Sequence, residues 1–404
     1  MNVKTVFFAC LVVISMGLGA VEAPVDGCHF IVGTTYSYVH GTDSSADFLI
    51  YKVDAAGNKL WRKNLGGEDS DYLWSTSYTP TADGGVVVAG KGNSYTHGVD
   101  DVLVYRLDAT GAKLWRKNYG GIGFDEPNAV LQTDDGGFLV VGFSDSYTVG
   151  DRDFLLVKVD AAGAKQWRRT FGGGDDDYAF SVCHTQDGGY VVAGYTHSYI
   201  HLPSPTVPDS GRGIAPPDFL VYRLDATGAK LWRKNLGGNL TDEAYGVIDA
   251  PDGGFIVLGQ TYSYTHGYQD FLVYRLDAAG NKQWRRNYGG ANYDSGRSVA
   301  RTLDGGFILA GRSSTYTNGC YDFLLYKVAA DGAKLWRKNL GGDDTDEAFT
   351  AYATLDEGYF VMGTTYSYHH GSDDSDLLAY KLDAAGNKLW RKNYGGEHDE
   401  YGWD

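Results

Sequence analysis

The chain has 404 residues, a formal net charge of −16, 43% hydrophobic residues, 56 glycines and 31 tyrosines. This is the composition of a soluble all-β protein, and its acidity argues against nucleic acid or an anionic membrane surface as partner. With four cysteines in all, the chain is not held by a disulfide framework.

In chain order, Lys4 precedes an apolar run from Val6 to Leu18, and Val21-Glu22-Ala23 supplies a small-residue cleavage pattern before Pro24. Residues 1–23 therefore read as a secretory signal peptide, and residues 24–404 as an exported domain without a membrane span. Of the cysteines, Cys28, Cys183 and Cys320 remain after cleavage, an odd number spread over distant parts of the chain.

From there a single sentence recurs: D-F-L-x-Y-K/R-L/V-D-A-x-G-x-K-x-W-R-K/R-N-x-G-G, with tryptophans at Trp61, Trp115, Trp167, Trp232, Trp284, Trp336 and Trp390. The intervals are 54, 52, 65, 52, 52 and 54 residues. A period of this size marks one supersecondary unit that buries its apolar faces only against its neighbours.

The fifth copy predicts four strands. Asp242 to Ile248 is the first, and Asp252-Gly253-Gly254 a tight turn; Phe255 to Tyr264 is the second. After the His266-Gly267 loop, Asp270 to Leu276 is the third, Asp277 to Asn281 a turn, and Lys282 to Tyr288 the fourth. In Phe271-Leu272-Val273-Tyr274 both pleat faces are apolar, as for a sheet covered on each side by another sheet. Radially stacked blades supply that cover, so the expected fold is all-β, a seven-bladed β-propeller of four-stranded antiparallel blades.

The ends of the chain support closure. Asp26 to Gly33 matches Asp252 to Gly259, so the first copy lacks its first strand, and Glu397 to Asp404 matches that missing strand. The C-terminal strand is expected to join the N-terminal blade. Residues 201–217, with five of the nine prolines, interrupt the fourth blade as a stiffened insertion, and Arg212 is its candidate contact residue.

Val221-Tyr222-Arg223-Leu224-Asp225-Ala226-Thr227-Gly228-Ala229-Lys230-Leu231-Trp232 resembles the repeat of PQQ-type quinoprotein propellers. The match covers about a third of each repeat. The wider repeat looks like those of secreted bacterial and archaeal surface propellers, and also resembles sequences labelled bulb-type lectin repeats. The resemblance implies that the tryptophan strand is outermost and the Asp242-type strand innermost. The blade connections and the loops between second and third strands then share one face, the top. Quinone binding does not carry over, because the Asp-to-Trp turn is one residue shorter, the blades number seven, and no vicinal cysteines occur.

Candidate chemistry follows from that orientation. An acid occupies one top-face position in every blade: Asp71, Asp125, Asp177, Asp242, Asp294, Asp346 and Glu400. Such a ring suits calcium or a cationic ligand, but recurrence in all seven copies favours each carboxylate capping the N–H groups of its own Gly-Gly loop. No other cofactor is expected. Histidines recur in one loop position, at His40, His97, His201, His266 and His370, with Val149 and Asn318 in the remaining copies. Propeller symmetry spreads them too widely for one metal site, which leaves loop structure or a shallow sugar-contacting surface.

Tyrosines crowd the same loops, as in Tyr262-Ser263-Tyr264 and Tyr366-Ser367-Tyr368, suited to sugar stacking or to packing between blades. Asn128 and Arg297 replace aromatic residues at an inner-strand position and are candidate polar contacts. Asn239-Leu240-Thr241 is a glycosylation sequon. No Ser-His-Asp signature, H-E-x-x-H, phosphate loop or C-x-x-C occurs, which weighs against enzymatic activity. The reading is a secreted, non-catalytic binding or scaffold propeller for an extracellular glycan or protein, the alternatives being a channel-mouth hydrolase, lyase or quinoprotein-like oxidoreductase, or a structural surface-layer component.

Overall fold

A computed structural model describes residues 27–37, 39–40, 45–73, 77–96, 98–148, 151–200, 216–317, 319–370, 375–396 and 398–401. The expected signal peptide and most of the 201–217 insertion, Arg212 included, lie outside the described residues, as do His97, His201, Val149 and Asn318.

Seven antiparallel sheets form a ring, built as meanders whose successive strands pair side by side, except that in the first sheet the last strand of the chain supplies the first position. In the fifth blade the strands are Asp242–Asp249, Phe255–Thr261, Asp270–Leu276 and Lys282–Tyr288. The second strand stops at Thr261, three residues short of the expected end. The Thr261 hydroxyl accepts from the N–H groups of Ser263 and Tyr264, a local turn that outcompetes the ladder. In the second blade the first strand is split into Asp71–Tyr72 and Tyr78–Pro80, both paired with Val86–Gly92.

In the fifth blade the second and third strands are buried end to end, as apolar faces on both sides of the pleat require. Neighbouring blades interlock through the third strands, where the ring of Phe219 meets that of Tyr274 edge-on at 5.6 Å. The same contact recurs at Phe48–Tyr105, Phe154–Tyr222, Phe271–Tyr326 and Phe323–Tyr380.

Each fourth strand carries one extra residue, so that Trp284 opposes Arg275 while Lys282 opposes Leu276. The bulge aims Gln283 outward, or an exposed leucine in other blades such as Leu60 and Leu231, and turns the tryptophan toward the next blade. There each indole lies against the glycine of the next D-A-x-G turn. A Cβ on Gly57 would fall 2.9 Å from the Trp390 ring, and one on Gly280 3.1 Å from Trp232. These glycines have positive φ, 74° at Gly57 and 77° at Gly280, so turn and contact demand the same residue.

The ring closes at the ends of the described chain. Glu400 and Tyr401 pair with Thr35 and Thr34, completing a sheet begun by His29–Thr35, and the N–H of Tyr36 donates to the carbonyl of Asp399 at 3.0 Å.

On the bottom face a cation of each of six third strands reaches the turn between first and second strands. Lys158, Lys327 and Lys381 pair with Asp135, Asp304 and Asp356 at 2.8 Å, Arg106 with Asp83 at 2.8 Å, and Arg223 and Arg275 with Asp187 and Asp252. Cys183, buried, and Cys320, exposed, are free thiols. Among the described residues no helix is long and apolar enough to cross a membrane.

Candidate functional site

The seven acids Asp71, Asp125, Asp177, Asp242, Asp294, Asp346 and Glu400 begin the first strands, but none meets solvent. Each accepts the N–H of its own second Gly-Gly glycine, at 2.7 Å from Gly238 to Asp242 and 2.9 Å from Gly396 to Glu400. In five blades a loop hydroxyl adds to this: Ser146, Ser198, Ser263, Thr315 and Ser367 donate to Asp125, Asp177, Asp242, Asp294 and Asp346. In the second blade the N–H groups of Asn93 and Ser94 donate to Asp71. The ring lies beneath the top face and fastens each blade connection to the next loop.

A second set of acids, Asp47, Asp101, Asp153, Asp218, Asp270, Asp322 and Asp376, starts the third strands and is also buried. Sequence reading passed over them as the first letter of D-F-L. A glycine of the blade connection stands between an acid of this second set in one blade and an acid of the first set in the next, and a Cβ on Gly237 would sit 2.0 Å from Asp218 Oδ1 in the fourth blade and 2.9 Å from Asp242 Oδ2 in the fifth. Crowding carboxylates away from water favours their neutral forms. Burial, with Asp218 nearby, pushes Asp242 up to about 6, against the hydrogen bonds from Thr261, Ser263 and Gly238. Burial likewise pushes Glu400 up to about 7, with Asp376 adding to the effect. Asp71, Asp125, Asp177, Asp294 and Asp346 are raised too, by burial first.

The loop histidines sit directly on this second set. His40 Nδ1 lies 2.5 Å from Asp47 and His266 Nδ1 2.6 Å from Asp270, and His370 bonds Asp376 in the same way. The backbone N–H groups of His40 and His266 donate to the same oxygens at 2.9 Å. Each ring is about half exposed while its carboxylate is buried, so the imidazole is held by Nδ1 with its other edge turned away from the acid. These three sites belong to separate blades, and among the described residues no group of three metal-ligating side chains converges.

The loop tyrosines are structural. Tyr264 donates its hydroxyl to the carbonyl of Gly237, and the Arg285 guanidinium covers its ring at 3.4 Å. The arrangement repeats at Tyr95, Tyr147, Tyr199, Tyr316 and Tyr368 with Arg116, Arg168, Arg233, Arg337 and Arg391. Asn128 is buried and donates to the carbonyl of Ala179 in the next blade at 2.8 Å, tying blades rather than facing a ligand. Arg297 does reach the axis. It lies over the Tyr245 ring at 4.2 Å and lines a central cavity of about 90 Å³ with Ser181, Ser298, Thr79 and Thr350. Such a volume suits about three waters.

Two residues that sequence reading missed stand out on the top face. Tyr268 and Tyr293 stack at 5.2 Å between centroids and 16° between planes, with 60% and 40% of their surface exposed. Their signal was present as departures from the repeat: the same two positions hold Val99 and Phe124 in one pair of blades, Cys320 and Thr345 in another.

No family model matches the chain. Over 114 residues it is 28% identical to the regulatory protein FlaEY of Caulobacter vibrioides, a stretch of 28% of this chain and 12% of that protein. Among solved structures, puromycin hydrolase is similar over 95% of this chain and 54% of its own, at 15% identity and a TM-score of 0.54. An apocarotenoid oxygenase of Synechocystis is similar over 95% of this chain and 93% of its own, at 11% identity and a TM-score of 0.50. Likeness at these identities shows the propeller fold alone.

Proposed function

We propose that this chain is a secreted, non-catalytic recognition propeller that takes an extracellular glycan or protein on its top face. One observation carries the reading. The recurring acids of the first strands and cations of the third strands are spent internally, as capping groups and bottom-turn ion pairs, and the exposed top positions of Tyr268 and Tyr293 are held by other side chains in other blades. His40, His266 and His370 present imidazole edges fixed by buried carboxylates, and fixed polar groups bind with less entropy loss than mobile ones. The same acid–imidazole pairing is the orienting half of a nucleophile-activating triad, which favours a top-face hydrolase as the second reading. Calcium bound by the acid ring remains part of the proposal only if the ring can exchange its N–H donors for the ion.

One experiment separates these. The protein is titrated with a panel of neutral and acidic oligosaccharides and with extracellular proteins in a calorimeter, and the same samples are chromatographed for products. Saturable binding without turnover supports the recognition reading. Turnover that His266→Ala or His370→Ala abolishes moves the assignment to hydrolysis, and neither binding nor turnover across the panel overturns both.

A further inference from the structure

We infer that Tyr268 and Tyr293 form an aromatic platform for a neutral pyranose sugar at the junction of the fifth and sixth blades. The inference rests on the recognition role proposed above and names its ligand class. Both residues lie where the loop of one blade meets the connection to the next, joined by a backbone bridge between Gln269 and Tyr293. The same bridge occurs between Asp100 and Phe124, where the exposed partner is Val99, so scaffold geometry does not require two aromatic rings. Gly267 packs so closely on Ala291 that a Cβ there would lie 2.2 Å from its carbonyl oxygen, which draws the two loops together beneath the rings.

These tyrosines differ from the repeating ones. Tyr264 and its counterparts are covered by arginine and tied by their hydroxyls to a glycine carbonyl. Among the described residues no guanidinium covers Tyr268 or Tyr293, and the pair faces solvent with most of one ring open. A flat aromatic face accepts the C–H face of a pyranose, and polar groups beside it serve the hydroxyls. His266, ring fixed on Asp270, precedes Tyr268 by two positions, and Asn292, its amide held to the Ser314 carbonyl at 3.2 Å, precedes Tyr293.

Size and charge both point to a sugar. Two tyrosines offer far less apolar area than the roughly 1,200–2,000 Å² that a stable protein–protein interface buries, but enough for one or two sugar rings. A neutral glycan is also indifferent to a net charge of −16, whereas an acidic one is repelled.

The test uses the full chain with cellohexaose, laminarihexaose, mannohexaose and chitohexaose as probes, followed by tyrosine and tryptophan fluorescence and by calorimetry. At least one probe is expected to bind. Tyr268→Ala and Tyr293→Ala are each expected to weaken it at least about tenfold, whereas Tyr268→Phe, which keeps the stacking face, stays within about threefold. The melting temperature of each variant controls for folding. If the alanine variants bind as the wild type does, the platform is overturned while glycan recognition stands. If no probe binds at about 10 mM, the sugar assignment is overturned and the broader role is left to its own test with protein partners.

Discussion

The indole Nε1 of Trp390, in the last blade, donates to the carbonyl of Ala55, in the first, at 3.2 Å. Trp61 bonds Ala109 at 3.1 Å, Trp115 bonds Ala161 at 3.0 Å and Trp232 bonds Ala278 at 3.3 Å. The seam between the chain ends is therefore built like an interior junction. Trp390→Ala is expected to cost about 2–4 kcal/mol in urea unfolding, and Trp232→Ala to cost the same within about 1 kcal/mol. A much smaller cost at Trp390 would mean that the ring is open in solution.

The seam also titrates. Burial pushes Glu400 up to about 7, so between pH 4 and 7 the folded chain holds a proton that the unfolded chain has released, and stability falls as pH rises through that window. Asp242, pushed up to about 6, acts with the same sign. On the acid side, burial opposes ionisation of Asp135, Asp304 and Asp356, but their lysine, threonine and glycine partners outweigh it and hold each at about 2. Their contribution is complete above about pH 4 and is lost as pH falls toward 2. The melting temperature is thus expected to peak near pH 4–5, and Glu400→Gln to flatten its decline toward pH 7 by about 1–3 kcal/mol. Parallel pH profiles for variant and wild type would refute this.

Glu357 has a φ of 63°, where the corresponding bottom turns place Gly84, Gly136, Gly188, Gly253 and Gly305. The left-handed backbone costs a side-chain-bearing residue about 1–2 kcal/mol, more than glycine loses in chain entropy. Glu357→Gly is expected to raise stability by about 0.5–1 kcal/mol in chemical denaturation, and a lower midpoint would show that Glu357 makes a compensating contact.

Gly237 separates two buried carboxylates, with no room for a methyl group. Gly237→Ala must push Asp218 or Asp242 off its hydrogen bonds, and a loss of about 2–4 kcal/mol is expected in thermal unfolding. An alanine tolerated without loss would show that the acid pair can spread.

Calcium addresses the same acids. Because Asp242 and Asp346 already accept a glycine N–H and a serine hydroxyl, 5 mM calcium or a chelator is expected to move the melting temperature by less than about 1 °C. A rise of several degrees would instead assign the ring to the ion.

Much of the fold was legible because the repeat states it seven times over. In the fifth blade the third and fourth strands have the expected limits, the first runs one residue further, to Asp249, and the second stops early, where Thr261 caps a turn that local apolar pattern does not encode. The candidate site was less legible. The acids, the loop tyrosines and Asn128 were visible as residue types, but whether they face water depends on partners elsewhere: Gly237 and Arg285 around Tyr264, Ala179 around Asn128. Arg297 faces the axis because its neighbours across the cavity, Thr79 and Thr350, belong to other blades.

The sequence by itself determined the number of blades, the order of strands within each and the closure of the ring, because periodicity and the split first copy are local and repeated facts. Only the tertiary structure decided which polar residues are consumed by the scaffold and which are offered to solvent. Burial is a sum over contacts from segments 20 or more residues apart, as in Tyr268 with Tyr293 or Asp218 with Asp242, and no local pattern carries that sum.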